Sequence, residues 1–501
     1  MRLRTAHSGT LALCLLAAAA YGAGQRRAVS SVRALEEAVG ALEPGDAVLL
    51  ADGNYATERP IRVEGLRGTA AAPIAIRAAA RGRATISGAA GFVLKDCEHL
   101  VLEGLVFAHD ADRHAVLLDG CRGVRVTRNV FRLSERAKPR HMEHWVYAVG
   151  AHSLSNRIDH NRFERKANSG SHVFVRGDDA ALVCSRHDRI DHNHFRDVVH
   201  ANGTNGYETV RTGSNDLGAS GQSSFTLIER NLLEQCSGES EVMSVKSSDT
   251  VVRQNTLVNC FGMICLRLGN RSEVCGNFVL ADDGGPGRGG VKLYGHGHRV
   301  HSNYFQGLTG TKHEAPLALV PGIFDTPTTD RIGKAYDSLT TVPAARAWIA
   351  FNTWVDCSPL QFGFARHDVR KHIPRENTFV NNLVARTRPQ QGPLIILELI
   401  EGFRAEGNLG YDCGNAFDPA WAGWFRSVEP GLRREEEAPG LWRLTAASPA
   451  IDAAAEGAPA AGEDVFGRAR RGRCDVGAEE FGRGAPLRRP LTRADVGPDA
   501  P

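Results

Sequence analysis

Residues 250–260 read TVVRQNTLVNC, residues 272–280 read SEVCGNFVL and residues 298–305 read HRVHSNYF. Each is a short run of alternating apolar residues, followed by Asn255, Asn277 or Asn303 and then a second apolar pair. The asparagines are 22 and 26 residues apart. A unit of this length holds two or three strands of three to five residues and cannot bury its own apolar side. Stacked units bury one continuous core and pair each backbone group with the units above and below, about 4.8 Å away. Asn suits the corner of such a unit. It tolerates left-handed or tight-turn geometry, and its amide can bond to the equivalent Asn one unit on.

The pattern extends in both directions. Upstream lie VRVTRNVF with Asn129, NRIDHNRF with Asn161, DRIDHNHF with Asn193 and TLIERNLL with Asn231. Downstream lie AWIAFNTW with Asn352, NTFVNNLV with Asn382 and FRAEGNLG with Asn408. An earlier unit, HLVLEGLVF at 99–107, reads as having Gly104 in the Asn place. Spacings of 38 and 49 residues, from Asn193 to Asn231 and from Asn303 to Asn352, call for loops between coils. No LxxLxL pattern marks a leucine-rich horseshoe, and a propeller blade takes about 40–45 residues. The expected fold is all-β: a single-stranded, right-handed parallel β-helix with an N-terminal capping helix.

The ends are expected to differ from the middle. Residues 1–22 read as a signal peptide. Arg2 and Arg4 precede an apolar run from Leu11 to Ala20, too short to span a bilayer, and Ala20-Tyr21-Gly22 offers a cleavage site. The expected location is therefore secreted or periplasmic, with no stable membrane insertion once the segment is removed. Residues 23–45 are expected to form the cap, with a helix in 30–44 started by Ser30 or Ser31 and striped by Val32, Leu35, Val39 and Leu42. The β-helix is assigned to 46–415, an irregular closing segment to 416–484, and a flexible, proline-rich tail to 485–501.

The formal charge is only +3 over 501 residues, and no Lys/Arg run argues for a nucleic-acid partner. Attraction for a polyanion must come from a local patch. A monomer is expected. Ten cysteines follow the signal segment without a CxxC pair, so a zinc motif is poorly supported. Disulfides and stacked core thiols, as at Cys236 and Cys260, stand as equal alternatives.

Alternation within strands picks out a candidate site. In MICLRLG, inward Ile264, Leu266 and Leu268 turn Arg267 outward; in GVKLYG, inward Val291 and Leu293 turn Lys292 and Tyr294 outward. Lys246, Arg267 and Lys292 are 21 and 25 residues apart, one coil each, and can stack on one outer face with Arg211 a coil earlier. Stacked cations repel and need anions. Glu208, Glu239 and Glu241 lie close in sequence. Glu239 and Glu241 are two apart and can face one point; with Asn205 as a neutral oxygen donor these two describe a hard-cation site, better suited to calcium than to magnesium. The alternative is a solvated face of ordinary ion pairs. Lys246 has the opposite strand parity to Glu241, so the chain must bulge or turn near Met243 or at Ser247. His296, His298 and His301 read as groove or turn residues more readily than as metal ligands. Arg140, His141, His144 and Trp145 are expected to form an excursion that contacts a ligand.

Four stretches, NGYETVRTG (205–213), SGESEVMSVKSSDTVVRQNTLVNC (237–260), CLRLGNRSEVCGNFV (265–279) and RGGVKLYGHGHRVHSNYFQGLTG (288–310), resemble polysaccharide lyase family 6, the family of alginate lyases and chondroitinase B. The resemblance covers roughly residues 25–415. It implies a calcium-assisted β-elimination on a uronate polymer, most readily alginate, giving 4,5-unsaturated uronate ends. By that resemblance Asn205, Glu208, Glu239 and Glu241 would hold Ca2+, Lys246 would be the general base and Arg267 the general acid. Arg211 and Lys292 would bind substrate carboxylates, with Tyr294 and His298 beside them on the substrate side. The chain departs from the family in having Leu268 where His is frequent and Lys292 where Arg is frequent. The competing readings are a chondroitin or dermatan sulfate lyase, a glycoside hydrolase, a uronate C5-epimerase and a noncatalytic carbohydrate-binding β-helix.

Overall fold

The computed structural model describes residues 24–110, 114–135, 142–199, 204–214, 221–325, 341–364, 370–456 and 461–501. The expected signal segment, with Arg140 and His141, lies outside them. Three sheets of 14, 14 and 13 strands, here named A, B and C, form the solenoid, with parallel pairing throughout except that Val183–Cys184 pairs antiparallel with Val173–Asp178 in C. Each coil visits them in turn. Val251–Arg253 lies in A, Thr256–Val258 in B and Gly262–Leu268 in C, before Glu273–Cys275 opens the next coil in A.

The A–B corner carries the asparagine ladder. Asn255 Nδ2 donates to Asn277 Oδ1 at 3.0 Å and to the carbonyls of Ile228 and Arg253, both at 3.0 Å. Asn277 Oδ1 also accepts from the Asn255 backbone N–H at 2.9 Å. The same amide-to-amide bond links Asn129, Asn161, Asn193 and Asn231, and on through Asn303, Asn352, Asn382 and Asn408. The left-handed residue at this corner is the one before each Asn: Arg128, His160, His192, Arg230 and Gln254 have φ between 52° and 56°. Gly104, at φ 75°, is therefore the counterpart of Arg128. The Asn place in that coil belongs to Leu105, whose N–H donates to Asn129 Oδ1. That corrects the sequence alignment of Gly104 with the asparagines.

Inward side chains stack coil upon coil. Phe107, Phe131, Phe163 and Phe195 lie face to face, with centroids 4.7, 4.6 and 4.8 Å apart. The helix Val32–Val39 is capped by Ser31, whose Oγ accepts from Ala34 N–H, and it buries Leu35, Ala38 and Val39 against the first coil. It sits between two neighbouring strands of sheet A, Arg26–Val29 and Ala47–Leu50, so the solenoid already begins at Arg26. The ten described cysteines are free thiols.

The closing segment adds Phe425–Ser427 to sheet B and covers its outer face, with Leu441, Val465, Phe466 and Ala478 packed on Phe278, Leu280 and Tyr304. Arg470 and Glu480 form an ion pair within it from which water is excluded. Residues 485–501 are not loose. Leu491 N–H donates to Thr256 Oγ1, Arg493 pairs with Glu234, Gly497 N–H donates to His192 O, and Arg128 donates to the carbonyls of Pro498 and Ala500. The prolines suit an extended strap that lies along the coils and needs few of its own N–H groups.

Candidate active site

The site lies on sheet C, where Val210–Gly213, Glu241–Lys246, Gly262–Leu268 and Arg288–Leu293 are successive rungs. A bulge resolves the parity conflict. Glu241 pairs with Met263 and Met243 with Ile264, so Val242 is an extra residue. Val242, Met243 and Val245 all enter the core. Glu241, Ser244 and Lys246 are left on the outer side. A second irregularity places Val245 against Leu266 but Lys246 against Leu268, which makes Arg267 the extra residue on its strand. Bulges re-aim side chains in this way.

The cations do not form one straight column. Phe174, Arg211, Ser244, Cys265 and Lys292 are in register, whereas Lys246 pairs with Gly213 and Leu268. The patch is a zigzag around Glu241. Glu241 Oε1 lies 3.4 Å from Arg267 Nε and 3.5 Å from Lys292 Nζ, and its Oε2 accepts from Ser244 Oγ at 2.6 Å. Glu208 Oε1 lies 3.5 Å from both Lys246 Nζ and Arg211 Nη1. Glu239 Oε2 accepts from the N–H groups of Gly206 and Tyr207, and Asn205 is exposed beside them.

The face is not a solvated one. Arg211, Lys246, Arg267, Lys292 and the three glutamates are all buried. Burial and the Arg211 charge, with Arg267 adding, lower the pKa of Lys246 despite the pull of Glu208 and Glu241. Burial and the charges of Glu208 and Glu241 push Glu239 up to about 8. Burial alone would raise Glu241, but Lys292, Arg267 and Lys246 hold it well below the carboxylate range. Burial also opposes the charge on Lys292, yet Cys265, Glu241 and Tyr294 raise its pKa. The cluster thus offers one amine biased toward its neutral form, beside cations that stay charged.

Two of the expected substrate residues sit differently. His298 is completely buried: its Nδ1 accepts from Ser272 N–H and its Nε2 faces Tyr294 O at 2.7 Å. It braces a turn and does not face the groove. Tyr294 is also buried, packed with Met263, Cys265 and Phe364, and its ring lies 5.0 Å from the Arg267 guanidinium, so it supports Arg267. Leu268 is buried but lies outside the main core cluster that holds Ile264 and Leu266. Trp145 is a core residue whose Nε1 donates to Glu135, and His144 stacks on His114 and meets the rings of Tyr147 and Phe174 at an angle.

Sequence reasoning missed Phe174, whose ring lies 4.4 Å from the Arg211 guanidinium. The alternation in HVFVRG one coil upstream carries that signal. It also missed His313, on the 3-10 turn Lys312–Glu314; burial, Lys292 and Arg370 depress its pKa to about 3. No pattern marks that turn. Among the described residues, only Glu273, Cys275 and His301 bring three metal-ligating atoms within 4.8 Å of one another. The oxygens of Glu208, Glu239 and Glu241 are more widely spread. A cleft of about 1450 Å³ lies between residues 433–443 and the strap, away from the glutamates of sheet C.

A family model described as chondroitinase B matches residues 29–415. No curated protein matches the chain. Among solved structures, a mutant of the family 6 alginate lyase AlyGC is 27% identical, with a TM-score of 0.72 over 84% of this chain and 55% of that one. The chain thus spans little more than half the length of that relative. A mannuronic-acid-specific family 6 lyase from human gut microbiota is 27% identical, with a TM-score of 0.69 over 81% of this chain and 91% of its own. A family 6 alginate lyase in complex with a trisaccharide, 20% identical with a TM-score of 0.68, covering 85% of this chain and 92% of its own, shares the fold. With the three-sheet solenoid and the Lys246–Arg267 cluster in place, the family match over most of the length decides the matter: the chain belongs to the chondroitinase B family, polysaccharide lyase family 6.

Proposed function

We propose that this protein is an exported lyase that cleaves a uronate polysaccharide, alginate first, by β-elimination. The observation that carries the reading is the shared placement of Lys246 and Arg267 on one recessed face around Glu241. A uronate C5 proton is hard to remove because the adjacent carboxylate is already negative. Arg211 and Lys292 supply fixed positive charge for that carboxylate, and Lys246, biased toward neutrality, takes the proton. Arg267 stabilises the departing O4; because a guanidinium holds its proton tightly, a water beside it delivers the proton to the leaving group. The polymer is cut, and one new end carries a 4,5 double bond.

Calcium belongs to this proposal. Glu208 Oε2 is buried without a hydrogen-bond partner, burial and two acidic neighbours disfavour the charge on Glu239, and the donor set is all oxygen. Glu208, Glu239 and Glu241 with Asn205 would hold the ion, which as a Lewis acid would offset charge on the sugar carboxylate.

The test is incubation with alginate, chondroitin and dermatan, read by the ultraviolet absorbance of the unsaturated product and by product mass, with and without a calcium chelator. A rise on alginate is expected. Product on dermatan alone would move the substrate to the sulfated polymers. Silence on all three, with polymer still bound, would leave a noncatalytic binding module, and altered uronate stereochemistry without cleavage would indicate an epimerase.

A further inference from the structure

We propose that Glu273, Cys275 and His301 form a second metal site, for a borderline transition-metal ion of the Zn2+ class, on sheet A and apart from the acidic cluster of sheet C. Glu273 and Cys275 alternate on one strand and so face the same side. Cys275 is in register with His301 on the next coil. The three ligand atoms lie within 4.8 Å of one another, and His301 Nε2 is 2.5 Å from Glu273 Oε1. An ion with Zn–S of about 2.3 Å and Zn–N and Zn–O of about 2.0–2.2 Å sets its ligands about 3–4 Å apart, so small side-chain rotations suffice. One sulfur, one imidazole nitrogen and one carboxylate oxygen select a borderline ion over calcium. Three protein ligands leave a fourth position for water.

Three neighbouring arginines would oppose a cation, and each already has a partner. Arg253 Nε lies 2.7 Å from Glu229, Arg488 pairs with Glu463, and the Arg299 guanidinium lies 4.3 Å over Trp348. The far side of the His301 ring is held as well, with Nδ1 3.4 Å from Ser302 Oγ and the ring 5.4 Å from Trp348. Such support fixes a metal-binding imidazole. Ser302 Oγ in turn donates to Glu463 O of the closing segment, so an ion here would brace the junction between coil and closing segment. Binding takes Cys275 as the thiolate and His301 through a bare Nε2; the thiol proton goes to solvent, and the proton of the His301–Glu273 hydrogen bond moves to Nδ1, which faces Ser302 Oγ, or to solvent. Affinity therefore rises with pH.

The test is a Co2+ titration of the full chain after chelator treatment. Cobalt bound to a thiolate gives a near-ultraviolet charge-transfer band, and cobalt among the glutamates of sheet C does not. The expected result is one such band at one equivalent, displaced by Zn2+, absent in C275S and weakened by about 100-fold or more in affinity in H301Q. Circular dichroism shows whether each variant keeps the fold; if C275S does not, E273Q and H301Q carry the decision. No band in the natural chain, or a full band in folded C275S or in both other variants, would overturn the site. Turnover of alginate by C275S is read alongside, so that failure of this site is distinguishable from failure of the lyase reading.

Discussion

Glu241 lies between Arg267 Nε at 3.4 Å and Lys292 Nζ at 3.5 Å, and all three side chains are buried. Removing the charge leaves two cations without their shared partner. Breaking one side of a buried pair costs about 3–5 kcal/mol. E241Q is expected to lower the melting temperature and the turnover together. The double variant E241Q/K292M is expected to recover part of the stability but none of the activity. Equal melting temperatures for E241Q and the natural chain would refute the coupling.

Lys246 touches Glu208 and lies among Arg211 and Arg267. As the proposed base, its loss should cost about 10²–10⁴-fold in turnover. K246A is expected to show that drop while circular dichroism stays unchanged. A K246A variant with ordinary turnover would place the base elsewhere.

Asp188 gives a pH dependence in the fold itself. It takes the place that Asn156 holds one coil earlier, accepting from Asn156 N–H at 2.9 Å and from Ser185 Oγ at 2.5 Å. Burial pushes its pKa up to about 7, against about 3.9 for an unfolded Asp. Between those values the folded chain keeps a proton that the unfolded chain has lost. Stability from this group is therefore full below about pH 4 and lost as pH rises through 7. D188N is expected to flatten the fall in melting temperature between acid and neutral pH. The same fall in both proteins would rule out Asp188 as its source.

The ladder predicts a sharp cost for one amide. N255A leaves the Asn231 backbone N–H and the carbonyl of Ile228 without their Asn255 partners, while the Asn231 side-chain amide keeps the carbonyls of Ile190 and Glu229. Each orphaned buried group costs about 1–3 kcal/mol. Chemical denaturation should show a loss of several kcal/mol, far above that of an alanine at exposed Arg230. A loss under 1 kcal/mol would mean that water replaces the amide.

The sequence made the coil legible because the ladder needs one residue type at one corner, and Asn255, Asn277 and Asn303 declare it. It also brought Glu241, Lys246, Arg267 and Lys292 to one side of one sheet, because period and alternation alone decide that much. The finer placement was hidden. Extra residues at Val242 and Arg267 shift the register by one, and no spacing count reveals that Lys292 pairs with Cys265 and not with Arg267. His298 looks from sequence like any polar residue beside the groove; only the Ser272 and Tyr294 backbone groups reveal it as a brace. The strap escaped notice because its contacts are to distant backbone groups, which leave no periodic trace.

The strap joins parts of the chain made far apart in time. Arg128 holds Pro498 and Ala500, and Thr256 holds Leu491, so early coils are fastened by residues synthesised hundreds of positions later. Coils can stack as they emerge from the ribosome, but this fastening waits until residues 491–500 have been made. The molecule thus carries a latch across the coils from Arg128 to Thr256, set in place after those coils have stacked.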